Sequence, residues 1–208
     1  MINLLKKDYL FSKKILFYTA LYCIAVPFIL LLDQDGKIYL IDMLIPLALV
    51  TAPLATLLNK EDTKSGVIFQ KTLPYSSFQK VGARFLFVFS LLFWGDIFVS
   101  GMKQIVFHSQ NFMEAITQSF PIFAGFAVYY AIYLTTYYWK GYFASQFCIY
   151  VLIVIVVFGK QMIGARVAEF VTKICSNKVT AGMSFAGVLL ILYFVCCILE
   201  ERKKVDKL

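Results

Sequence analysis

The chain has 208 residues, of which 61% are hydrophobic and only 15% are charged, and its formal net charge is +8. Soluble domains carry about 25% charged residues, and a globule of this size could not hide so much apolar surface from water. The composition therefore excludes a soluble enzyme, a disordered chain and a disulfide-rich secreted module. It favours a membrane protein. The basic residues are then expected to contact anionic lipid headgroups, and no nucleic-acid partner is expected.

Six apolar runs of about 18–23 residues follow the polar start of the chain, each long enough to cross the bilayer as a helix. Backbone groups in lipid must pair within their own segment, which requires helices. The predicted spans are Ile15–Leu32, Ile38–Leu58, Phe85–Met102, Ile116–Tyr138, Tyr142–Gly159 and Thr180–Leu199. With no internal repeat or linker, residues 1–208 are predicted to form one all-α, six-helix transmembrane domain.

The distribution of basic residues predicts the orientation. An even number of spans places both termini on one side, and most of the 20 Lys and Arg residues lie on that side. They fall in 1–14, in 59–84, and after the last span. Because basic loops stay cytoplasmic, we expect a multi-pass plasma-membrane protein with both termini inside.

Two carboxylates lie within predicted spans, Asp42 in the second and Asp96 in the third. Charges inside the membrane are costly, so both are candidates for lining a solute path. One alternative is a pair of carboxylates in the wet outer half of a helix bundle. Another is an intramembrane aspartyl protease, in which two facing carboxylates share a proton. Its GxGD motif is incomplete here, because Phe93 stands where the first glycine should be.

The segment 59–84 is the longest predicted cytoplasmic one and has a pattern of its own. Lys64–Thr72 is a short helix candidate that Pro74 ends, and Ser76 can cap Phe78–Arg84, which leads into the third span. An exposed apolar triplet within this short helix has no core of its own. The pattern indicates docking of a soluble partner, or alternatively a helix that lies on the inner headgroups. The triplet consists of Val67, Ile68 and Phe69.

The outer segment 160–179 is predicted to be an amphipathic helix that lies in the outer interface. Apolar residues repeat at helical spacing on one face, and charged residues occupy the other. A solvated loop is the alternative. The apolar face holds Ile163, Val167, Phe170, Val171 and Ile174, and the charged face holds Arg166, Glu169 and Lys173.

No motif for bond chemistry is present in the sequence. HExxH, GxSxG and the phosphate-binding GxxxxGK[ST] are all missing, and the one histidine, His108, lies in a predicted outer loop. Five cysteines without CxxC spacing indicate neither a disulfide framework nor a zinc site. The chain is therefore not expected to be an enzyme, and if ATP powers it, another chain must bind the ATP.

Two parts of the chain resemble the permease subunits of ABC-2 type ATP-binding-cassette exporters. One is the start of the chain, which resembles the family's N-terminal elbow helix. The other is 59–84, where acidic residues, an LPYS stretch and a basic residue follow one another as in the family. The matching positions are Asn3–Asp8, Glu61, Asp62, Leu73–Ser76 and Arg84. Ser77 departs from the pattern, because many members have Arg or Lys there.

The resemblance implies a permease that moves an amphipathic or hydrophobic peptide, drug or lipid out of a bacterial cell. The short chain is similar to the phenol-soluble modulin exporter permeases. The resemblance also implies an elbow helix at 1–14, a coupling helix within 59–84 and an outer helix before the sixth span.

The implied partners are two copies of a cytoplasmic ABC ATPase, which bind ATP and Mg, and a second permease subunit in a homo- or heterodimer. This chain is expected to bind no cofactor or metal. The expected ATPase-docking residues are Glu61, Val67, Ile68, Phe69, Gln70, Leu73 and Pro74. Glu61 is placed to form a salt bridge with a basic surface of the partner. The alternative is a stand-alone membrane protein, such as a secondary carrier or an immunity factor.

Overall fold

A computed structural model of the chain describes residues 2–31, 38–63, 65–66, 68, 75–107, 112–151 and 178–205. Within these ranges every regular element is a helix, which agrees with the predicted all-α class. The helices are α1 (Ile2–Leu31), α2 (Ile38–Asp62), α3 (Ser77–Phe107), α4 (Phe112–Lys140), α5 (142–151) and α6 (Lys178–Val205). The predicted outer segment 160–179 lies almost wholly outside the described residues.

Two helices of the described part are long and apolar enough to cross a membrane. They are Ser77–Ile105 in α3, with a mean hydropathy of 1.9, and Gly182–Arg202 in α6, with a mean hydropathy of 2.4. Both contain a span predicted from the sequence. That the remaining four spans also cross the membrane stays a prediction.

Helix α1 runs without interruption from Ile2 to Leu31. Residues 2–14 of the expected elbow therefore form the first part of the same helix as the first apolar run. Lys13 and Lys14, which separate the two segments in sequence, are exposed residues with good helix propensity and do not break the backbone pattern.

A capping box starts α3. The side-chain oxygen of Ser76 accepts a hydrogen bond from the Gln79 backbone N–H at 3.3 Å, and the Gln79 side-chain oxygen accepts one from the Ser76 N–H at 3.3 Å. The two bonds satisfy backbone donors that the first turn of a helix leaves unpaired. The predicted capping role of Ser76 is confirmed.

The helices on either side of the predicted segment 59–84 extend into it. The second apolar run ends at Leu58, but α2 continues to Asp62, and α3 begins at Ser77, well before the third apolar run. Polar residues can continue a helix past the edge of an apolar stretch, so hydrophobicity alone misplaces the boundary. The connection between the helices is 63–76, which we call the α2–α3 loop.

The chain divides into two compact units, Met1–Tyr130 and Ala131–Leu208. In the first unit α1, α2 and α3 pack against one another. Tyr130 of α4 is almost fully buried; its hydroxyl lies 2.7 Å from that of Thr51 and donates a hydrogen bond to the Leu47 carbonyl at 3.2 Å. The fully buried apolar core of α2 and α3 includes Ile45, Val50, Leu54, Leu57, Leu58, Val81, Phe87 and Leu92.

In the second unit a single glycine joins α4 to α5. Gly141 has φ of 88°, a left-handed conformation that favours glycine, and its N–H donates to the Tyr137 carbonyl at 2.8 Å. Thr135 contacts the Cys196 thiol of α6 at 3.3 Å. This contact connects α6 to α4 within the unit.

Gly66 of the α2–α3 loop lies against the end of α2. A Cβ at this position would be 2.8 Å from the Glu61 Cα and 2.9 Å from the Glu61 carbonyl oxygen, which are backbone atoms that cannot swing aside. We therefore expect Gly66→Ala to displace the loop from α2 and to speed its cleavage by trypsin several-fold. Gly101→Ala is the control, because a Cβ at Gly101 meets nothing within 4 Å. Equal cleavage rates for the Gly66 variant and the wild type would contradict this close approach.

Candidate functional site

The structure describes two of the residues expected to dock an ATPase. Ile68 is helical and 64% exposed, as a docking side chain should be. Glu61 lies in the last turn of α2 and is buried. The others lie outside the described residues, and their docking role stays a prediction. They are Val67, Phe69, Gln70, Leu73 and Pro74.

Four charged side chains from three helices meet where α2 ends and the α2–α3 loop begins. Two come from the first turns of α1, one from the last turn of α2, and one from the first turns of α3. We call this cluster the charge network. It consists of Lys7, Asp8, Glu61 and Arg84.

Arg84 is the centre of the charge network. Its Nη1 lies 2.5 Å from Oδ2 of Asp8, and its Nη2 donates to Oε1 of Glu61. The ammonium group of Lys7 donates to the same Glu61 oxygen at 3.1 Å and lies 3.5 Å from Oδ1 of Asp8. A planar guanidinium has donors pointing in several fixed directions, so it can bridge carboxylates on two different helices.

The charge network is neutral in sum and largely shielded from water. The side chains of Asp8, Arg84 and Glu61 are 2%, 6% and 10% exposed. Burial raises the pKa of the Asp8 carboxyl above its usual value, although the positive charges of Arg84 and Lys7 act in the opposite direction. Because buried charge is costly without a partner, each member of the network depends on the others.

Further contacts hold the start of α1 on α2 and α3. The Lys60 ammonium donates to the Phe11 carbonyl at 3.1 Å and lies 5.7 Å from the centre of the Phe11 ring. The hydroxyl groups of Tyr9 and Ser90 are 2.6 Å apart, and the Tyr9 ring meets the Phe87 ring edge to face. The first turns of α1 are therefore joined to both neighbouring helices.

The position of Glu61 differs from the expectation drawn from the sequence. Glu61 was expected to face a basic partner surface, but in the structure it pairs with Arg84 and Lys7 of its own chain. Sequence reasoning also missed Lys7 and Asp8 as site residues. The available signal was that both parts of the chain that resemble the family carry charged residues, and the structure brings those charges together.

Asp96 lies in a second polar site, between α3 and α4 of the first unit. The Ser119 hydroxyl donates to Oδ1 of Asp96 and also lies 3.0 Å from the Ile116 carbonyl. A small cavity beside this pair is otherwise apolar. Its lining residues are Pro46, Leu92, Asp96, Val99, Ser119, Ile122 and Phe123.

Asp42 lies in α2, but its side chain is outside the described residues. A role of Asp42 and Asp96 in a solute path therefore stays a prediction. Among the residues that the structure describes, no group of three or more His, Cys, Asp or Glu side chains could hold a metal ion.

The comparisons with known proteins identify one family. The model of the family described as "ABC-2 family transporter protein" matches residues 3–199, which is nearly the whole chain. No curated protein and no solved structure matches the chain. The match includes the charge network, the α2–α3 loop and the Asp96 site.

Proposed function

Because the chain belongs to the ABC-2 family of transporters, whose membrane subunits work with a separate ABC ATPase, we propose that it is the permease subunit of an exporter. Its substrate is an amphipathic or hydrophobic peptide, drug or lipid, which it moves out of a bacterial cell. The phenol-soluble modulin exporter permeases are the proposed functional analogues.

The charge network is the observation that carries this proposal. It lies beside the α2–α3 loop. Its ion pairs join α2 to α3, and both of these helices to α1. A force on the loop reaches these three helices through buried ion pairs instead of being lost in a flexible connection. An exporter needs such a connection between the site of ATP hydrolysis and the membrane.

In the proposed assembly two permease subunits, identical or different, form a dimer above two ATPase subunits. The permease has six spans, the first turns of α1 in the place of the elbow helix, and an outer interfacial helix at 160–179. ATP-driven closure of the ATPase subunits displaces the α2–α3 loop, tilts α2 and α3, and alternates access between the two sides of the membrane.

The topology of this assembly is tested by labelling an engineered cysteine. Both termini and the α2–α3 loop are proposed to be cytoplasmic. The test uses a chain without the native cysteines, in which the exposed residue Ser65 is replaced by cysteine. Ser65→Cys should react with an impermeant maleimide only after the membrane is opened. Asn59→Cys, exposed at the end of α2, should behave in the same way. Reaction of either cysteine from outside intact cells would refute the orientation and with it the docking loop.

The division of labour between subunits is tested by ATP hydrolysis. The sequence lacks the GxxxxGK[ST] loop that cradles phosphates, so the purified permease is expected neither to bind nor to hydrolyse ATP. Hydrolysis should appear only when the partner ATPase, found by co-purification from the native host, is added. Saturable binding of a fluorescent ATP analogue to the permease alone would overturn the proposal.

A further inference from the structure

We propose that Asp8 is a positioning residue that makes α1 follow the α2–α3 loop when an ATPase displaces it. The inference rests on the proposed function. It assigns to α1 a part in transport. Without this joint, displacement of the loop would move mainly α2 and α3. It also assigns Glu61 to an internal joint and not to the surface of the partner.

The way in which α1 contacts the rest of the first unit supports this role. Among the side chains of α1 that the structure describes, the buried ones form one narrow stripe at intervals of mostly four residues, and only the first and last of these are apolar. The stripe consists of Leu4, Asp8, Ser12, Thr19 and Cys23. On either side of it α1 presents exposed apolar residues such as Phe17, Tyr18 and Leu21. The buried stripe of α1 is therefore more polar than apolar, and its polar side chains contribute to holding α1 in place.

The polar members of the stripe differ in what they bond. Thr19 donates to carbonyl groups of its own helix, at Ile15 and Leu16. Ser12 makes no hydrogen bond within the described part. Asp8 is the member of the stripe that forms an ion pair with another helix, through Arg84 of α3. A displacement of α3 reaches α1 through this ion pair and through the neighbouring Tyr9–Ser90 hydroxyl contact, and of the two only the ion pair carries charge.

The geometry of Arg84 makes the joint specific. One guanidinium nitrogen faces Asp8 of α1 and another faces Glu61 of α2, so a single rigid group connects three helices. A lysine at position 84 would keep the network neutral, but its one ammonium centre would have to choose between two carboxylates on different helices. Charge alone is therefore not sufficient, and the fork of donors is required.

The experiment measures the movement of α1 and α2 separately in the complete complex with its ATPase, in lipid nanodiscs. One spin label is placed at the exposed residue Lys13 of α1 or Asn59 of α2, and a reference label at Arg202 of α6. Double electron–electron resonance gives each distance in the ATP-free and the vanadate-trapped states. In the wild-type network both distances should shift on trapping.

Asp8→Asn should reduce the shift measured from Lys13, to an extent limited by the remaining Tyr9–Ser90 contact, and preserve the shift measured from Asn59, with ATPase co-purification unchanged. Arg84→Lys should have the same effect. Because it keeps the network neutral, it serves as the second variant if Asp8→Asn fails to fold. Lys6→Gln is the matched control, because it removes an exposed charge next to the network and should retain both shifts.

An undiminished Lys13 shift in Asp8→Asn and Arg84→Lys would overturn the inference. Loss of both shifts in these variants would also overturn it, because the network would then only stabilise this end of the molecule. Absence of the Asn59 shift in the wild-type network would instead refute the proposed function, on which the inference depends.

Discussion

Arg84→Ala is expected to lower the free energy of unfolding by about 3–5 kcal/mol, the cost of breaking a buried ion pair by removing one partner. The substitution leaves the carboxylates of Asp8 and Glu61 with Lys7 as the remaining cation of the charge network. Chemical unfolding in detergent, followed by circular dichroism, measures the loss. Arg202→Ala, at an exposed position, should change stability by no more than about 0.5 kcal/mol.

A double variant makes this expectation sharper. Arg84→Ala combined with Asp8→Asn removes one cation and one anion, so Glu61 and Lys7 remain as a neutral pair. The double variant should therefore be less destabilised than Arg84→Ala alone, a non-additivity expected of residues in direct contact. If Arg84→Ala costs under about 1 kcal/mol, or if the two effects simply add, the buried network does not hold the helices together as argued.

Ile68→Asp is expected to weaken the association with the ATPase roughly a hundredfold or more. Burying such a side chain in a partner groove is worth about 1.5–3 kcal/mol, and a carboxylate there adds a desolvation cost. Each 1.4 kcal/mol changes the affinity by about a factor of ten. Ile68 is exposed, so the change should leave the fold of the permease intact. The sequence predicts the same outcome for Phe69→Asp.

Co-purification of the ATPase at equal membrane expression measures this effect. Asn59→Asp is the matched control, because it adds a negative charge at the end of α2 without removing an apolar side chain. Loss of the partner with Ile68→Asp but not with Asn59→Asp supports docking. Undiminished co-purification of the Ile68 variant would mean that this helix lies on the headgroups or elsewhere, and the loop would lose its role as the docking element.

Local chemistry made several elements predictable from the sequence. The hydrophobic length of the runs in α3 and α6 indicated two helices that can span a membrane. The spacing of Ser76 and Gln79 is that of a capping box, in which both partners lie within one turn of helix. Both signals depend on residues close together in the chain.

The charge network was not predictable in this way. Glu61 and Arg84 belong to helices whose relative rotation the sequence pattern does not specify, and Asp8 is more distant still. A carboxylate next to a loop is usually exposed to solvent. A surface contact was therefore expected for Glu61. Only the packing of α1, α2 and α3 reveals that these side chains share one site.

The composition of the charge network also has a consequence for biogenesis. Lys7 and Asp8 leave the ribosome first, Glu61 follows after the rest of α1 and most of α2, and Arg84 comes only when α3 is being made. Until then Asp8 lacks the guanidinium with which it pairs, so the charge network is incomplete and α1 lacks its ion pair with α3. Nascent chains halted before residue 84 should therefore expose α1 to chaperones and proteases, and release of the next helix should end that vulnerability. The order of synthesis thus makes the third helix the step that completes the charge network.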